Sequence, residues 1–195
     1  MNIRLRITWH KEILGDQTKY SCPLQILDRK LVHRSSDANV FLTSIDLEQP
    51  EIWRLGVRIP WLPEHSFPVG EVSLAAGAET YRQCGLAMTH IGLGVPIEYP
   101  FTMQNITFAW ASTPPQHVGQ DPFHCFASIR IRGFKAKQGI PCYVSVALHL
   151  NDENGTPLAT GAGIFQCLTP DQYQKYQKAC GRAGSLQPDG SPSAD

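Results

Sequence analysis

Residues 2–9 alternate, with Ile3, Leu5, Ile7 and Trp9 on one side and Asn2, Arg4, Arg6 and Thr8 on the other. That period of two predicts a half-buried strand. Shorter apolar runs predict strands at 39–45 and 55–61, ahead of a Pro-rich stretch, 60–68, that holds Trp61, His65 and Phe67. The spacing then changes. From Glu71 to about Leu93 no turn signal interrupts the chain, while Pro68 and Gly70 precede this run and Gly92, Gly94 and Pro96 close it. Those boundaries predict one long helix. Period two returns at 101–110, 123–132, 142–150 and 157–168, and the Asn151-Asp-Glu-Asn-Gly155 turn joins the last two as a hairpin. Pro170 opens a short helix to about Cys180, and the Ser/Pro/Gly/Asp-rich end predicts a disordered tail.

The long helix is made of small residues: Ala75, Ala76, Gly77, Ala78, Gly85 and Ala87. A helical glycine costs about 1 kcal/mol relative to alanine. Close packing compensates for that cost if a sheet wraps tightly around the helix. The expectation is an α+β class: an antiparallel sheet curled round one central helix, the hotdog arrangement. One such domain occupies 1–180, followed by the tail 181–195.

Composition narrows the function. The 195 residues carry 17 basic and 17 acidic side chains, so net charge is zero. Charged residues are 17%, against about 25% in an average soluble protein. No broad basic field exists for nucleic acid. No run reaches the length of a membrane span, and no apolar stretch follows the first basic residues as a secretory signal requires. The six cysteines form no Cys-x-x-Cys pair, so no metal is expected. Cys84, Cys125, Cys142 and Cys167 lie in apolar runs and read as buried thiols of a reducing cytoplasm.

Polar groups on a buried helix need a reason. Glu79, Arg82 and Gln83 share one helical face, and His65 lies on the loop feeding the helix. An acyl thioester site could be built from them. His65 would act as general base, and Glu79 as a proton donor or orienter whose pKa burial raises and Arg82 lowers. Arg82 would hold a phosphate or carbonyl oxygen. Backbone N–H groups at Gly70, Glu71 and Val72 would polarise the carbonyl, with Phe67, Gln83 and Leu86 lining the substrate. The plain alternatives are a loop histidine and a surface ion pair; the Ala/Gly flanks argue against an exposed face. His33 and Arg34 read as structural. His90 reads as a response to the helix dipole. His124 and His149 read as packing or solvent-facing. Arg130, Arg132, Lys135 and Lys137 read first as a solvated basic face, and otherwise as a surface that receives the acidic face or phosphopantetheine arm of a carrier protein.

His65-Ser-Phe-Pro-Val-Gly70, with Glu79 fourteen residues after the histidine, resembles the active-site segment of 3-hydroxyacyl-carrier-protein dehydratases, although Ser66 and Val69 depart from that pattern. A broader match runs over about residues 31–110. Leu31-Val-His-Arg34, Val40-Phe-Leu-Thr43, Pro63-Glu-His-Ser-Phe67, Ala78-Glu-Thr-Tyr-Arg-Gln83 and His90-Ile-Gly-Leu-Gly-Val-Pro96 resemble the A-factor biosynthesis (AfsA-like) hotdog family. The resemblance implies transfer of a 3-oxoacyl group from acyl carrier protein to dihydroxyacetone phosphate in γ-butyrolactone synthesis. It implies no cofactor beyond the phosphopantetheine or CoA that carries the thioester. It also implies a homodimer in which His65 of one protomer faces Glu79 of the other. The family usually has two hotdog repeats, and this chain has room for one. Dehydration or isomerisation of a hydroxyacyl thioester is the alternative, and a non-catalytic acyl-binding module is a second.

Overall fold

The computed structural model describes residues 26–49, 52–61 and 70–180. The strand expected at 2–9, the loop with His65 and Phe67, and the tail 181–195 lie outside the described residues. Six strands form an antiparallel sheet: β1 (Leu42–Gln49), β2 (Ile52–Ile59), β3 (Phe101–Trp110), β4 (Phe123–Lys137), β5 (Ile140–Asn151) and β6 (Pro157–Cys167). Their order is β1-β2-β4-β5-β6-β3, so β1 and β3 are the two edges. Helix α1 (Leu74–Leu93) packs across one face, and α2 (Pro170–Ala179) closes the described chain. The α+β class and the sheet around a central helix are as expected.

Element ends differ from the sequence reading where local chemistry intervenes. The first strand begins at Leu42, because Ser36 caps a short 3-10 turn over Asp37–Asn39. Helix α1 begins at Leu74 rather than Glu71. Ser73 is its N-cap and accepts from the Ala76 N–H, a role for which serine is well suited. Glu71 instead bridges to Gln116. Strand β4 runs on to Lys137 through a register shift between Ile131 and Gly133.

Alternation places Val144, Val146, Leu148 and Leu150 of β5 on the inner face, all at most 1% exposed. Cys142, expected in that row, is half-buried and its thiol donates to the Lys135 carbonyl at 3.3 Å. The helical glycines face aromatic rings: Gly77 meets Phe108 and Trp110, Gly85 meets Phe165, and Gly92 meets Trp53. These contacts explain the small-residue helix. Gly85→Ala weighs two effects. Helix propensity gains about 1 kcal/mol, while overpacking a filled core costs about 1–3 kcal/mol. A Cβ at Gly85 would overlap the Phe165 ring, so the loss wins. The variant is expected to melt a few degrees lower, at about 2–4 °C per kcal/mol for a chain of this size. A higher melting temperature in calorimetry would contradict this packing.

Candidate active site

One face of α1 meets the segment 28–41, which folds into two 3-10 turns, Arg29–Val32 and Asp37–Asn39. Glu79, Arg82 and Gln83, three and four residues apart, share that face. Glu79 Oε1 accepts from Arg34 Nε (3.0 Å), an Arg82 terminal nitrogen (2.8 Å) and Gln83 Nε2 (2.7 Å). Its Oε2 accepts from Arg82 Nε at 2.8 Å, giving a two-pronged pair. An Arg34 terminal nitrogen lies 2.5 Å from Oε1. The Glu79 side chain is 19% exposed, and those of Arg34 and Arg82 are 35% and 22% exposed.

The same side chains tie the segment to the helix. Arg82 donates to the Val32 carbonyl at 3.0 Å. Gln83 is fully buried; it donates to the Asn39 carbonyl at 2.7 Å and accepts from the Phe41 N–H at 2.8 Å. Burial pushes the Glu79 carboxyl up, but the Arg82, Arg34 and Gln83 donors outweigh it and hold the group below its ordinary range. Glu79 is therefore ionised at neutral pH. Two arginines face one carboxylate, so the cluster carries one net positive charge (+2 − 1).

The structure brings Glu79, Arg82 and Gln83 together as the sequence predicts, and adds Arg34, which the sequence reading left as structural. Arg82, expected to reach a substrate oxygen, holds Glu79 and the Val32 carbonyl through its Nε and one terminal nitrogen. The Val72 N–H was expected at the helix start to polarise a carbonyl, yet it donates to the Pro115 carbonyl at 2.8 Å. The first helical N–H groups belong to Leu74 and Ala75 instead. Gly70 adopts φ +94°, which explains a glycine there, and its carbonyl accepts from His117 N–H at 2.7 Å. Glu71 is half-buried beside this turn. Leu86 is fully buried in the core. His65 and Phe67 lie outside the described residues. Burial pushes the Cys125 and Cys167 thiols up to about 12, so neither is a ready thiolate nucleophile.

A second polar pair was missed by the sequence reading. His33 and His90 approach with Nε2 atoms 3.0 Å apart, and His90 Nδ1 lies 2.8 Å from the Val95 carbonyl. Both rings pack edge-on to Phe101. A signal existed, since His33 sits in Val-His-Arg and His90 opens His-Ile-Gly-Leu-Gly-Val-Pro. No spacing rule, however, joins residues 57 apart in sequence. Loss of water, then the neighbouring His90 and Arg82, lowers His33 to about 4, with the Ile97 carbonyl opposing. Burial lowers His90 as well, against the Val95 carbonyl and Glu98.

The sign of the resulting pH dependence follows from linkage. An unfolded His33 takes a proton near pH 6.5 and the folded one near 4, so the unfolded state binds more protons in between. Stability therefore falls as pH drops from about 6.5 to about 4. Urea unfolding at several pH values is expected to show that fall, and to show a shallower one for His33→Asn. Equal slopes in both proteins would contradict the assignment.

Comparison with known proteins agrees with this architecture. The model of the A-factor biosynthesis hotdog domain matches residues 15–169. A curated relative, 2-oxo-3-(phosphooxy)propyl 3-oxoalkanoate synthase of Streptomyces virginiae, is 30% identical over 159 residues. The match covers 76% of this chain and 50% of the relative, so the chain spans about half the length of the curated relative it matches. Among solved structures, a hypothetical thioesterase protein with coenzyme A from Streptococcus pneumoniae TIGR4 is similar at 8% identity and TM-score 0.49, over 73% of this chain and 98% of that one. A hot-dog-like protein from Thermanaerovibrio acidaminovorans is similar at 14% identity and TM-score 0.46, over 69% and 91%. Likenesses this distant assign no chemistry. The family model covers most of the chain, and the chain belongs to the A-factor biosynthesis hotdog family.

Proposed function

We propose that the chain moves a 3-oxoacyl group from a thioester, carried on acyl carrier protein or CoA, to the hydroxyl of a phosphorylated acceptor such as dihydroxyacetone phosphate. The observation that carries this reading is the ionised Glu79 held between Arg34 and Arg82 in a chain whose curated relative is named for a phosphooxypropyl oxoalkanoate. The net positive charge of the cluster suits a phosphate-bearing acceptor. Glu79, as an anion, orients the acceptor hydroxyl. The N–H groups of Leu74 and Ala75 face the developing oxyanion with the favourable end of the helix dipole. His65 is the base that the sequence singles out.

Dehydration of a hydroxyacyl thioester needs a proton donor for the leaving hydroxyl. The Arg82, Arg34 and Gln83 donors hold Glu79 below its ordinary range, which suits it to orienting a hydroxyl as an anion better than to donating a proton. A homodimer is part of the proposal. The outer edge of β3 pairs with no strand among the described residues, and Ile106 on it is 41% exposed. Unpaired edges invite a further strand, and a second copy pairing there is the proposed dimer contact.

The test is intact-mass measurement of a 3-oxoacyl carrier protein incubated with the chain. Acyl discharge that depends on a hydroxyl acceptor supports transfer. Loss of roughly 18 Da, one water, from a 3-hydroxyacyl carrier would support the alternative.

A further inference from the structure

The sheet has an outer face as well as the face that carries α1. Along β4, Ala127 and Ile129 enter the core and are fully buried. Ser128, Arg130 and Arg132 alternate with them on the other side. Strand register supplies their neighbours there. Ile52 of β2 and Ala147 of β5 flank Arg130, while Arg54 of β2 and His149 of β5 flank Ser128. Ile52, Ser128, Arg130, Arg132, Ala147 and His149 line a groove of about 280 Å³. The short side chain of Ala147 leaves the space beside Arg130 open. A register shift sets Gly133, not Arg132, opposite Ser145, and leaves Arg132 as the extra residue of β4. Such a bulge bends its strand and re-aims a side chain, and here Arg132 joins Arg130 at the groove.

The groove gathers two guanidinium groups, an imidazole and a hydroxyl, and no carboxylate. Among the described residues, ion pairs join Arg29, Arg34 and Arg82 to Asp37 and Glu79, and none includes Arg130 or Arg132. Arg54, the next cation on this face, lies over the Phe126 ring, its guanidinium carbon 4.3 Å from the centroid. Asp46 stands opposite Arg54, across β2 from the groove. Asp152 accepts from the Asn154 and Thr156 N–H groups of its own turn. In a chain of zero net charge, these residues form a local cleft of one sign, and such a cleft focuses its potential on an anion.

We infer that this groove is a second binding site, for a small molecule that bears a phosphate or a diphosphate. Arginine forks match phosphate oxygens in pairs. Arg130 and Arg132 lie two residues apart, roughly 7 Å along the strand, so their forks can close on one phosphate or on both groups of a diphosphate. Ser128 adds a hydroxyl that donates or accepts. The groove is smaller than the pockets of about 300–1,000 Å³ that enclose drug-sized ligands, so it takes the phosphate-bearing end of its ligand. The site is separate from Glu79, because α1 lies on the opposite face of the sheet. Strands β5 and β6 stand between β4 and the β3 edge, so a dimer through that edge leaves the groove open. The groove does not depend on the acyl-transfer reading, and either can fail alone.

The test titrates the full chain with inorganic phosphate, pyrophosphate, dihydroxyacetone phosphate and CoA, followed by amide magnetic resonance. Saturable shifts are expected at Ser128, Arg130 and Ala147, half-complete at or below about 1 mM for at least one of the four. The tightest of them tells whether the ligand is free phosphate, a diphosphate, a phosphorylated triose or a cofactor head. Arg130→Gln and Arg132→Gln are each expected to weaken that binding about 10-fold or more, the loss of a hydrogen bond to a charged group. Both side chains are exposed, so the melting temperature without ligand is expected to stay that of the parent. Lys175→Gln removes the same charge from an exposed position on α2 and is expected to change binding by less than about twofold. Ligand is also expected to raise the melting temperature of the parent more than that of Arg132→Gln. No saturation by any of the four anions overturns the inference, and so does equal weakening in Lys175→Gln and the arginine variants, the behaviour of a merely solvated face. Binding of an acidic carrier protein together with none of the small anions overturns it as well.

Discussion

Glu79→Gln is expected to abolish measurable turnover and to cost about 2–3 kcal/mol of stability. The substitution keeps the size of the side chain and removes its charge. Arg34 and Arg82 then stand at 2.5–3.0 Å from a neutral amide. Removing one partner of a fully buried pair costs about 3–5 kcal/mol; the residual exposure of these side chains places the cost below that range. A second loss follows from geometry. Arg82 reaches the Val32 carbonyl only while Glu79 fixes its guanidinium, so the 28–41 segment loosens together with the cluster. The melting temperature is expected to fall by about 4–12 °C, from about 2–4 °C per kcal/mol. Circular dichroism melts check this, and a melting temperature within about 1 °C of the parent would show that the cluster holds nothing in place. Acid has the same effect in milder form. The unfolded Glu79 carboxyl takes its proton near 4.5 and the folded one at lower pH, so the contribution of the cluster is present above that value and is lost as pH falls through the folded one.

Gln83→Leu is the second large effect, expected to cost about 2–4 kcal/mol. The volumes are similar and leucine is the better helix former, so a purely hydrophobic account predicts a neutral or stabilising change. The hydrogen bonds decide otherwise. Gln83 is 0% exposed and is the partner of the Phe41 N–H and the Asn39 carbonyl. Each buried group left unpaired costs about 1–3 kcal/mol. Urea unfolding measures the total, and hydrogen exchange at the Phe41 amide measures the local part. A variant as stable as the parent, with Phe41 still protected, would mean that another acceptor takes over.

The fold was legible because its signals are local. Alternation in β5 and the Asn151–Gly155 turn are read from a few adjacent residues, and the Ala/Gly helix announced close packing, which aromatic rings supply at Gly77, Gly85 and Gly92. The Glu79, Arg82 and Gln83 face was legible for the same reason, since helical spacing fixes it. The partners of that face were not. Arg34 lies 45 residues from Glu79, and His33 lies 57 from His90. Only the folding of segment 28–41 against α1 brings them together. Motif order hinted at the same pieces but carried no geometry. The Val32 and Pro115 carbonyls to which Arg82 and Val72 donate were not legible either, because each lies far from its donor in sequence.

The central claim is acyl transfer to a hydroxylated acceptor by a member of the A-factor biosynthesis hotdog family. The most direct measurement incubates the full chain with a 3-oxoacyl carrier protein and isotopically labelled dihydroxyacetone phosphate, followed by mass spectrometry of the small molecules. The account predicts a labelled, phosphorylated 3-oxoacyl ester with the parent chain and none with Glu79→Gln. Free fatty acid released at the same rate with and without the acceptor, with no labelled ester, would contradict it.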